Sequence, residues 1–514
     1  MNLLSDPVFR VRKVNGEASF VSLPEAFEAL SVDLIDNFTG VRPHQSHALH
    51  AFFSQLGAMA TNAAGKTLKT ADEWRAAILL LSPSDLGNSP WDVIGNFDKP
   101  AFMQIPAPDA GLWRKRETSP DDIDVLISTK NHEMKQGVID PTEIEQWVFA
   151  LISAQTSIGF TGPKCYGIFR MNGGLGSRSC YGIKPKGGIG SHIMRDINVL
   201  LDSRATIVKD YDFAEQGLAL LWIEPWDGKA QVASRNLDPY FIEIARRLRL
   251  IRLDDGTISC LRETSDNTRV VPAIRGMTGD PWTPIVTRDK DGAKSLTIAE
   301  NPFGYERIVR QLFGSEGLDL PVAMEVRPDD GDDLQIILRG LVRGQGKTAG
   351  YHERLIPISR KTGIGIRQRF TDPVAKIATE RVQDAGEVSK KLEFAILSLQ
   401  QNGGDKITRD RKNSAAYASG CGDEFSDAVD LSFFEDLDLE AKEDTSEAAS
   451  LIRNDWQRKV IRIARQILDR EIKRSPASSV SKYRAAARAR GIFEGGVRKA
   501  FEHLYEKEVV NESA

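Results

Sequence analysis

GFTGPKCYGIFRMNGGLGSRSCYGIKPKGGIGSHIMR, Gly159–Arg195, holds glycine and basic residues together with no acid; Asp196 is the first carboxylate to follow. Glycine lacks the Cβ that restricts other backbones, and a run poor in side chains leaves its N–H groups open to approach. The segment is expected to be neither helix nor regular strand. With Lys164, Arg170, Arg178, Lys184, Lys186 and Arg195 it is suited to hold a polyanion, so nucleic acid is the first partner to consider. The competing reading is a long glycine-rich connection whose basic residues are merely solvated.

Working outward, Asp140-Pro141-Thr142-Glu143 reads as a helix start leading into EIEQWVFALISAQ, which delivers the chain to the glycine-rich segment. Upstream, Val8, Phe9, Val11, Phe20 and Val21 flank an Asn15-Gly16 turn signal and predict a β-hairpin. Leu49, Phe52, Phe53 and Leu56 keep helical spacing, as does 71–81. The Pro, Gly and Trp of 88–111 predict irregular chain. Downstream, 183–366 mixes strand-like runs such as LQIILRGLV with Gly and Pro punctuation, the pattern of a mixed α/β body. From Arg367 the pattern turns helical, through Val374, Ile377, Ala378 and Val382 to Val460, Ile463, Ala464 and Ile467. Four or five long helices there imply an antiparallel bundle. Its charge is segregated, acidic over 423–447 and basic over 453–499, with Lys482, Arg484, Arg488 and Arg490 close together. A solvated helix face is the plain alternative for those four.

A chain of 514 residues can hold two or three cores, and 41% hydrophobic with 27% charged residues is an ordinary globular composition. A net charge of −4 excludes a protein that coats nucleic acid indiscriminately, so a polyanion site must be local. No stretch reaches the run of about 18 apolar residues that a bilayer span needs. No secretory pattern opens the chain, so no membrane partner and a cytoplasmic location are expected. Cys165, Cys180, Cys260 and Cys421 lie far apart without metal-ligand spacing and are expected to be reduced packing thiols.

Enzyme signatures are weak. Gly65-Lys66-Thr67 and Gly346-Lys347-Thr348 end like phosphate-binding loops, but Ala60 and Leu341 stand where the required glycine belongs. His44, His47 and His50 lack an accompanying acid or cysteine, and the Asp329, Asp330, Asp332 and Asp333 cluster reads as an exposed acidic turn. No nucleophile, base and orienting group assemble. The expectation is a non-catalytic binding subunit with no cofactor and no metal.

Several pieces occur in an order that resembles the large subunit, CasA, of the type I-E CRISPR surveillance complex Cascade. They are Met1-Asn2-Leu3-Leu4 with its hairpin, Pro100-Ala101-Phe102-Met103-Gln104, Asn131-His132, the glycine-rich segment, GMTGDPWTP at 276–284, Arg343-Gly344-Gln345-Gly346 and a final helical bundle. The Cys-rich insertion common in that family has only Cys260 here.

The resemblance implies a protein that reads the protospacer-adjacent motif of double-stranded DNA from the minor groove, starts duplex opening and R-loop formation, and helps recruit the effector helicase-nuclease. Guide RNA (crRNA) and the other Cascade subunits are the implied partners. Sequence beyond the motif is read by guide pairing. By resemblance, Gly162, Lys164, Gly167, Gly173, Gly174 and Arg269 meet the motif, and Gly344, Gln345, Gly346 and Lys347 form a duplex wedge. Lys130, Asn131 and His132 belong to a loop near the guide RNA and neighbouring subunits. The basic face of Lys482, Arg484, Arg488 and Arg490 would hold DNA backbone. The expected fold is α+β: a mixed α/β N-terminal domain over 1–366, then a C-terminal antiparallel four-helix bundle over 367–514. Two other readings stay open, a metal-dependent nucleic-acid-processing enzyme using 329–333 and a protein-binding scaffold.

Overall fold

The computed structural model describes the chain except residues 108–112, 114, 125–139, 141, 172–177, 299–302, 315–316, 345–346, 369–372, 405, 476–478 and 506–514. It is a mixed α+β structure in two compact units. One comprises Met1–Phe303 with Glu316–Leu355, the other Gly304–Ser315 with Ile356–Ala514.

The first unit opens with β1 (Phe9–Lys13) and β2 (Ala18–Val21), an antiparallel hairpin in which Phe9 faces Val21. Gly16 closes its turn at φ +87°, a conformation glycine adopts freely. Helix α1 (Leu23–Ser31) starts from a Ser22/Glu25 capping box, and β3 (Ile35–Phe38) then pairs with β1. Helices α2 (Ser46–Ala64) and α3 (Ala71–Leu79) follow. Short β4 (Lys115–Glu117) and α4 (Pro120–Ile123) precede α5 (Ile144–Thr156), the helix expected before the glycine-rich segment. All of α5 is buried, as is α2 from His47 to Ala60. A helix apolar all round belongs inside a core. Here the two run through aromatic packing that includes Phe27 stacked on Trp74 at 4.5 Å and Phe9 against Phe149 at 6.1 Å.

The glycine-rich segment corrects the first expectation. Its C-terminal half is regular: β5 (Cys180–Pro185) is a strand, and α6 (Ile189–Asp210) begins inside the run. The glycines that hid this helix serve its start. Asp33, which follows α1, accepts hydrogen bonds from Gly188 N–H (2.8 Å), Ser191 N–H (2.9 Å) and Ser191 Oγ–H (2.6 Å). A Cβ on Gly190 would lie 2.4 Å from the Leu30 carbonyl oxygen. The cap of α6 is therefore a carboxylate 155 residues away, which needs bare backbone to come close.

Beyond α6, parallel β6 (Leu218–Leu220) and β7 (Leu237–Ile242) pair; β8 (Arg247–Arg252) and β9 (Ile258–Glu263) form an antiparallel sheet with β4. A small sheet joins β10 (Ile285–Val286), β11 (Lys294–Ser295) and β12 (Leu318–Asp319). The long β13 (Asp333–Gly344) and β14 (Lys347–Ser359) are neighbours in a sheet whose third strand is β5, with Leu338 opposite Tyr181.

The second unit is helical: α7 (Tyr305–Leu312), α8 (Arg360–Gln368), α9 (Pro373–Gln400), α10 (Lys412–Asp430), α11 (Phe433–Lys442), α12 (Ser446–Arg474) and α13 (Ser479–Ala500). Helix α9 packs against α10, α11, α12 and α13. Arg381 on α9 is fully buried, bonded to Glu440 at 2.6 Å and lying over the Trp456 ring at 4.6 Å.

Candidate nucleic-acid interface

The glycine-rich segment leaves α5 through a base locked by Gln155. Its amide oxygen accepts from Ala245 and Arg246 N–H, and its amide nitrogen donates to the Met103 and Arg246 carbonyls. Arg246 in turn donates to Gly159 O at 2.8 Å. From this anchor the chain makes a tight turn over 161–165, with Cys165 N–H bonded to Gly162 O and Thr161 N–H to Cys165 O, both at 3.0 Å. Pro163 and Lys164 form its exposed tip. Lys164 sits at φ +60°, the position that a turn with proline ahead of it usually gives to glycine. It is held there by its carbonyl, which accepts from Ser265 N–H, and by its ammonium, 2.7 Å from Asp266.

Gly162 and Gly167 have different reasons to be glycine. A Cβ on Gly162 would meet nothing within 4 Å, so this backbone is open to an approaching molecule. A Cβ on Gly167 would lie 2.9 Å from Gly159 Cα and Phe160 N, so this glycine is required by the return of the chain on itself. Gly173 and Gly174 lie outside the described residues.

Three of the six basic residues in the segment are not free for a polyanion. Arg170 is buried against the Phe241 ring at 4.1 Å, with Glu243 3.6 Å away. Arg178 makes a two-pronged pair with Asp280 at 2.5 and 3.1 Å, and Arg195 pairs with Asp330 at 2.9 Å. Burying a cation demands a counterion, and these acids supply it. Lys186 is exposed and paired with Asp333 at 2.9 Å. Sequence reading counted positive charge; the partners came from 243, 280 and 330, too distant to be seen.

Arg269, which the resemblance places at the motif, is buried, 5% exposed. Its guanidinium lies 5.8 Å from the Trp226 ring centroid, and its Nε–H has no hydrogen-bond partner among the described residues. Burial lowers its pKa, opposed by Glu224 and Asp227. It helps wall a cavity of about 320 Å³ between the glycine-rich segment and residues 268–276. The 276–284 motif is largely internal: Asp280 holds Arg178, and Trp282 Nε1–H donates to Asp196 at 2.8 Å.

The remaining expected contacts lie elsewhere. Gly344 and Lys347 end β13 and β14, while Gln345 and Gly346 between them lie outside the described residues, as do Lys130, Asn131 and His132. In the helical unit, Arg484 and Arg488 donate to the Asn402 and Gly403 carbonyls just past the end of α9, and Arg490 pairs with Asp469 at 2.9 Å. Lys482 is half-buried. Cations at a helix C-terminus complement its dipole, so part of this basic face works within the fold.

The enzyme signatures resolve as structure. Gly65, at φ +63°, closes α2, whereas a phosphate-binding loop opens a helix. Asp329, Asp332 and Asp333 are exposed as expected of an acidic turn, while Asp330 is buried as the counterion of Arg195. The three histidines diverge: His44 bonds Asp124 at 2.7 Å, His47 stacks on Tyr351, and His50 bonds Asp196 at 2.8 Å. Among the described residues, His50, His192 and Asp196 are close enough to hold a metal ion. Asp196 is already occupied by proton donors from His50, Trp282 and Arg195. Burial alone would push it up; His192, His50 and Arg195 hold it well below the usual carboxylate range. The signal that sequence reading missed was His192 and Asp196, one helical turn apart on α6. Cys180 and Cys260 are buried thiols pushed up to about 12, consistent with packing.

No protein-family profile and no curated protein matches the chain. Solved structures do. Cse1 from Acidimicrobium ferrooxidans superposes with a TM-score of 0.68 at 14% identity, covering 98% of this chain and 99% of that one. CasA (Cse1) from Thermus thermophilus gives 0.65 at 12% identity, covering 97% and 99%. A chain of a CRISPR RNA-guided surveillance complex gives 0.63 at 12%, covering 98% and 99%. No described helix is long and apolar enough to cross a membrane. From its N-terminal hairpin to its terminal helices, the chain has the CasA/Cse1 fold.

Proposed function

We propose that this chain is the large, non-catalytic subunit of a type I-E RNA-guided CRISPR surveillance complex. In that role it reads the protospacer-adjacent motif of duplex DNA from the minor groove and starts strand separation. The supporting observation is likeness in fold over nearly the whole of both chains, including a chain from an RNA-guided surveillance complex. The partners are guide RNA, the other subunits, target DNA and an effector helicase-nuclease.

The turn at Gly162-Pro163-Lys164 suits the first step. The minor groove is about 6 Å wide and chemically degenerate, so a narrow backbone with one cation fits where a bulky helix cannot. Gly167, and Gly173 and Gly174 further along, belong to the same segment. Arg269 acts from the cavity wall behind it. Gly344, Gln345, Gly346 and Lys347, where the sequence passes from β13 to β14, are the wedge, with Lys347 on the neighbouring phosphate. Unstacking costs about 1–2 kcal/mol per base step until guide pairing replaces it. Lys130, Asn131 and His132 face guide RNA or neighbouring subunits, and Lys482, Arg484, Arg488 and Arg490 hold DNA backbone through salt-sensitive contacts.

The test is duplex binding by the guide-RNA complex with and without this chain, on targets differing only beside the protospacer. Motif discrimination that depends on the chain is the expected result; equal binding to all targets would overturn the proposal. The metal-enzyme alternative is disfavoured because Asp330 is committed to Arg195.

A further inference from the structure

The turn that bears Lys164 presents a cation and an anion together. Lys164 Nζ lies 2.7 Å from Asp266 Oδ1, and both side chains are open to solvent, at 60% and 47% exposure. Asp266 is fixed there by its backbone. Its N–H donates to Gly228 O at 2.7 Å, its carbonyl accepts from Tyr166 Oη–H at 2.9 Å, and the preceding Ser265 N–H bonds Lys164 O at 3.0 Å. The carboxylate is therefore set beside the turn by contacts that its own charge does not make. The bond from Lys164 lowers its pKa, so it is ionised at neutral pH. An exposed pair of this kind contributes little to stability. On a turn read as a polyanion contact, a fixed negative charge is a repulsive element, and such elements are how binding sites reject wrong partners.

The chemistry of the minor groove says which partner such a pair accepts. A carboxylate only accepts hydrogen bonds, and an ammonium only donates them. The groove floor shows acceptors at every base pair, adenine N3 and thymine O2 among them, and a single kind of donor, the 2-amino group of guanine. Against an A·T pair Asp266 would face acceptors alone. Against a G·C pair its carboxylate takes a guanine amino proton, while Lys164 donates to a flanking acceptor, guanine N3 or cytosine O2. Resting on the function proposed above, we infer that Asp266 is a specificity-determining residue that, side by side with Lys164, selects a G·C pair in the motif by its 2-amino group. The same charge keeps the turn from settling on phosphates or on A·T-rich duplex.

The experiment uses the complete guide-RNA complex, its motif first defined by binding to duplexes randomised beside the protospacer. Each motif guanine is then replaced by hypoxanthine, which lacks only the 2-amino group. Adenine and 2,6-diaminopurine, which regains that group, are placed at the same positions. At one position hypoxanthine is expected to weaken equilibrium binding about tenfold, and diaminopurine to bind better than adenine. Asp266→Ala keeps the backbone contacts that hold the segment and should bind guanine and hypoxanthine duplexes alike. Comparing the two proteins on the same duplexes cancels differences in duplex stability. Asp266→Asn, of the same size, should narrow the gap between A·T and G·C there, because its amide donates to the acceptors that a carboxylate repels. Motif discrimination with no effect of the 2-amino group at any position overturns the inference and leaves the proposed function standing. A guanine preference that survives both substitutions overturns it equally, even with affinity lowered for every duplex, since uniform loss is the mark of a structural role. Absence of motif discrimination would instead overturn the proposed function and the inference with it.

Discussion

Arg178 and Asp280 are buried together, so removing either leaves a charge with nowhere to go. Asp280→Ala is expected to cost about 3–5 kcal/mol, read as a lower urea midpoint. His47 makes the opposite kind of statement. Burial, with Arg339 and Arg178 nearby, lowers its pKa to about 3, and His192 is likewise pushed below 6.5 by burial and His50. Both folded values lie below the unfolded one, so the unfolded chain binds protons first. The stability they contribute is complete above about pH 6.5 and is lost as pH falls toward the folded values, by about 1.4 kcal/mol per pH unit for each group. Urea unfolding between pH 7.5 and 5 should show this slope, and His47→Phe should flatten it by about one proton. Lys164, on the turn, was legible as an exposed cation because its neighbours in sequence made the turn. Arg170, Arg178 and Arg195 have the same local surroundings, and only their distant counterions separate them from it.

At the scale of elements, the helices with an uninterrupted apolar stripe, α2, α5, α9 and α12, could be read from spacing. Helix α6 could not, because its N-terminus borrows Asp33 from the turn after α1 and keeps glycines where a local cap would stand. The same close approach recurs after α9. Gly403 lies at φ +64°, and a Cβ there would come 2.9 Å from Ala485 Cα on α13. Gly403→Ala should therefore destabilise the helical unit by about 1–3 kcal/mol in thermal or urea unfolding. The β13–β14 hairpin carries a different prediction. Arg339 and Glu353 pair across the two strands at 2.6 Å. If the tip is the wedge, Gln345→Ala should slow R-loop formation more than it weakens motif binding, measured by stopped-flow opening and equilibrium binding on one duplex. Equal loss of both would count against the wedge.

For the whole molecule, the hydrophobic period changes character at 366/367, whereas the helical unit takes up the chain from Ile356. The period could not show that Gly304–Ser315 also belongs there, since an eight-residue helix inside a mixed α/β stretch carries no mark of its destination. Tyr305 packs on Phe433 at 4.6 Å, and its N–H bonds Asp430 at 2.7 Å. A fragment beginning at Ile356 should therefore melt lower than the same fragment with α7 supplied as a linked peptide, which calorimetry would read directly. In a natural or laboratory recombination between two such proteins, a single crossover placed before the C-terminal helices would leave a mismatched helix wedged among them. Inheritance of the helical unit as a working whole thus requires two separate tracts of the gene to travel together.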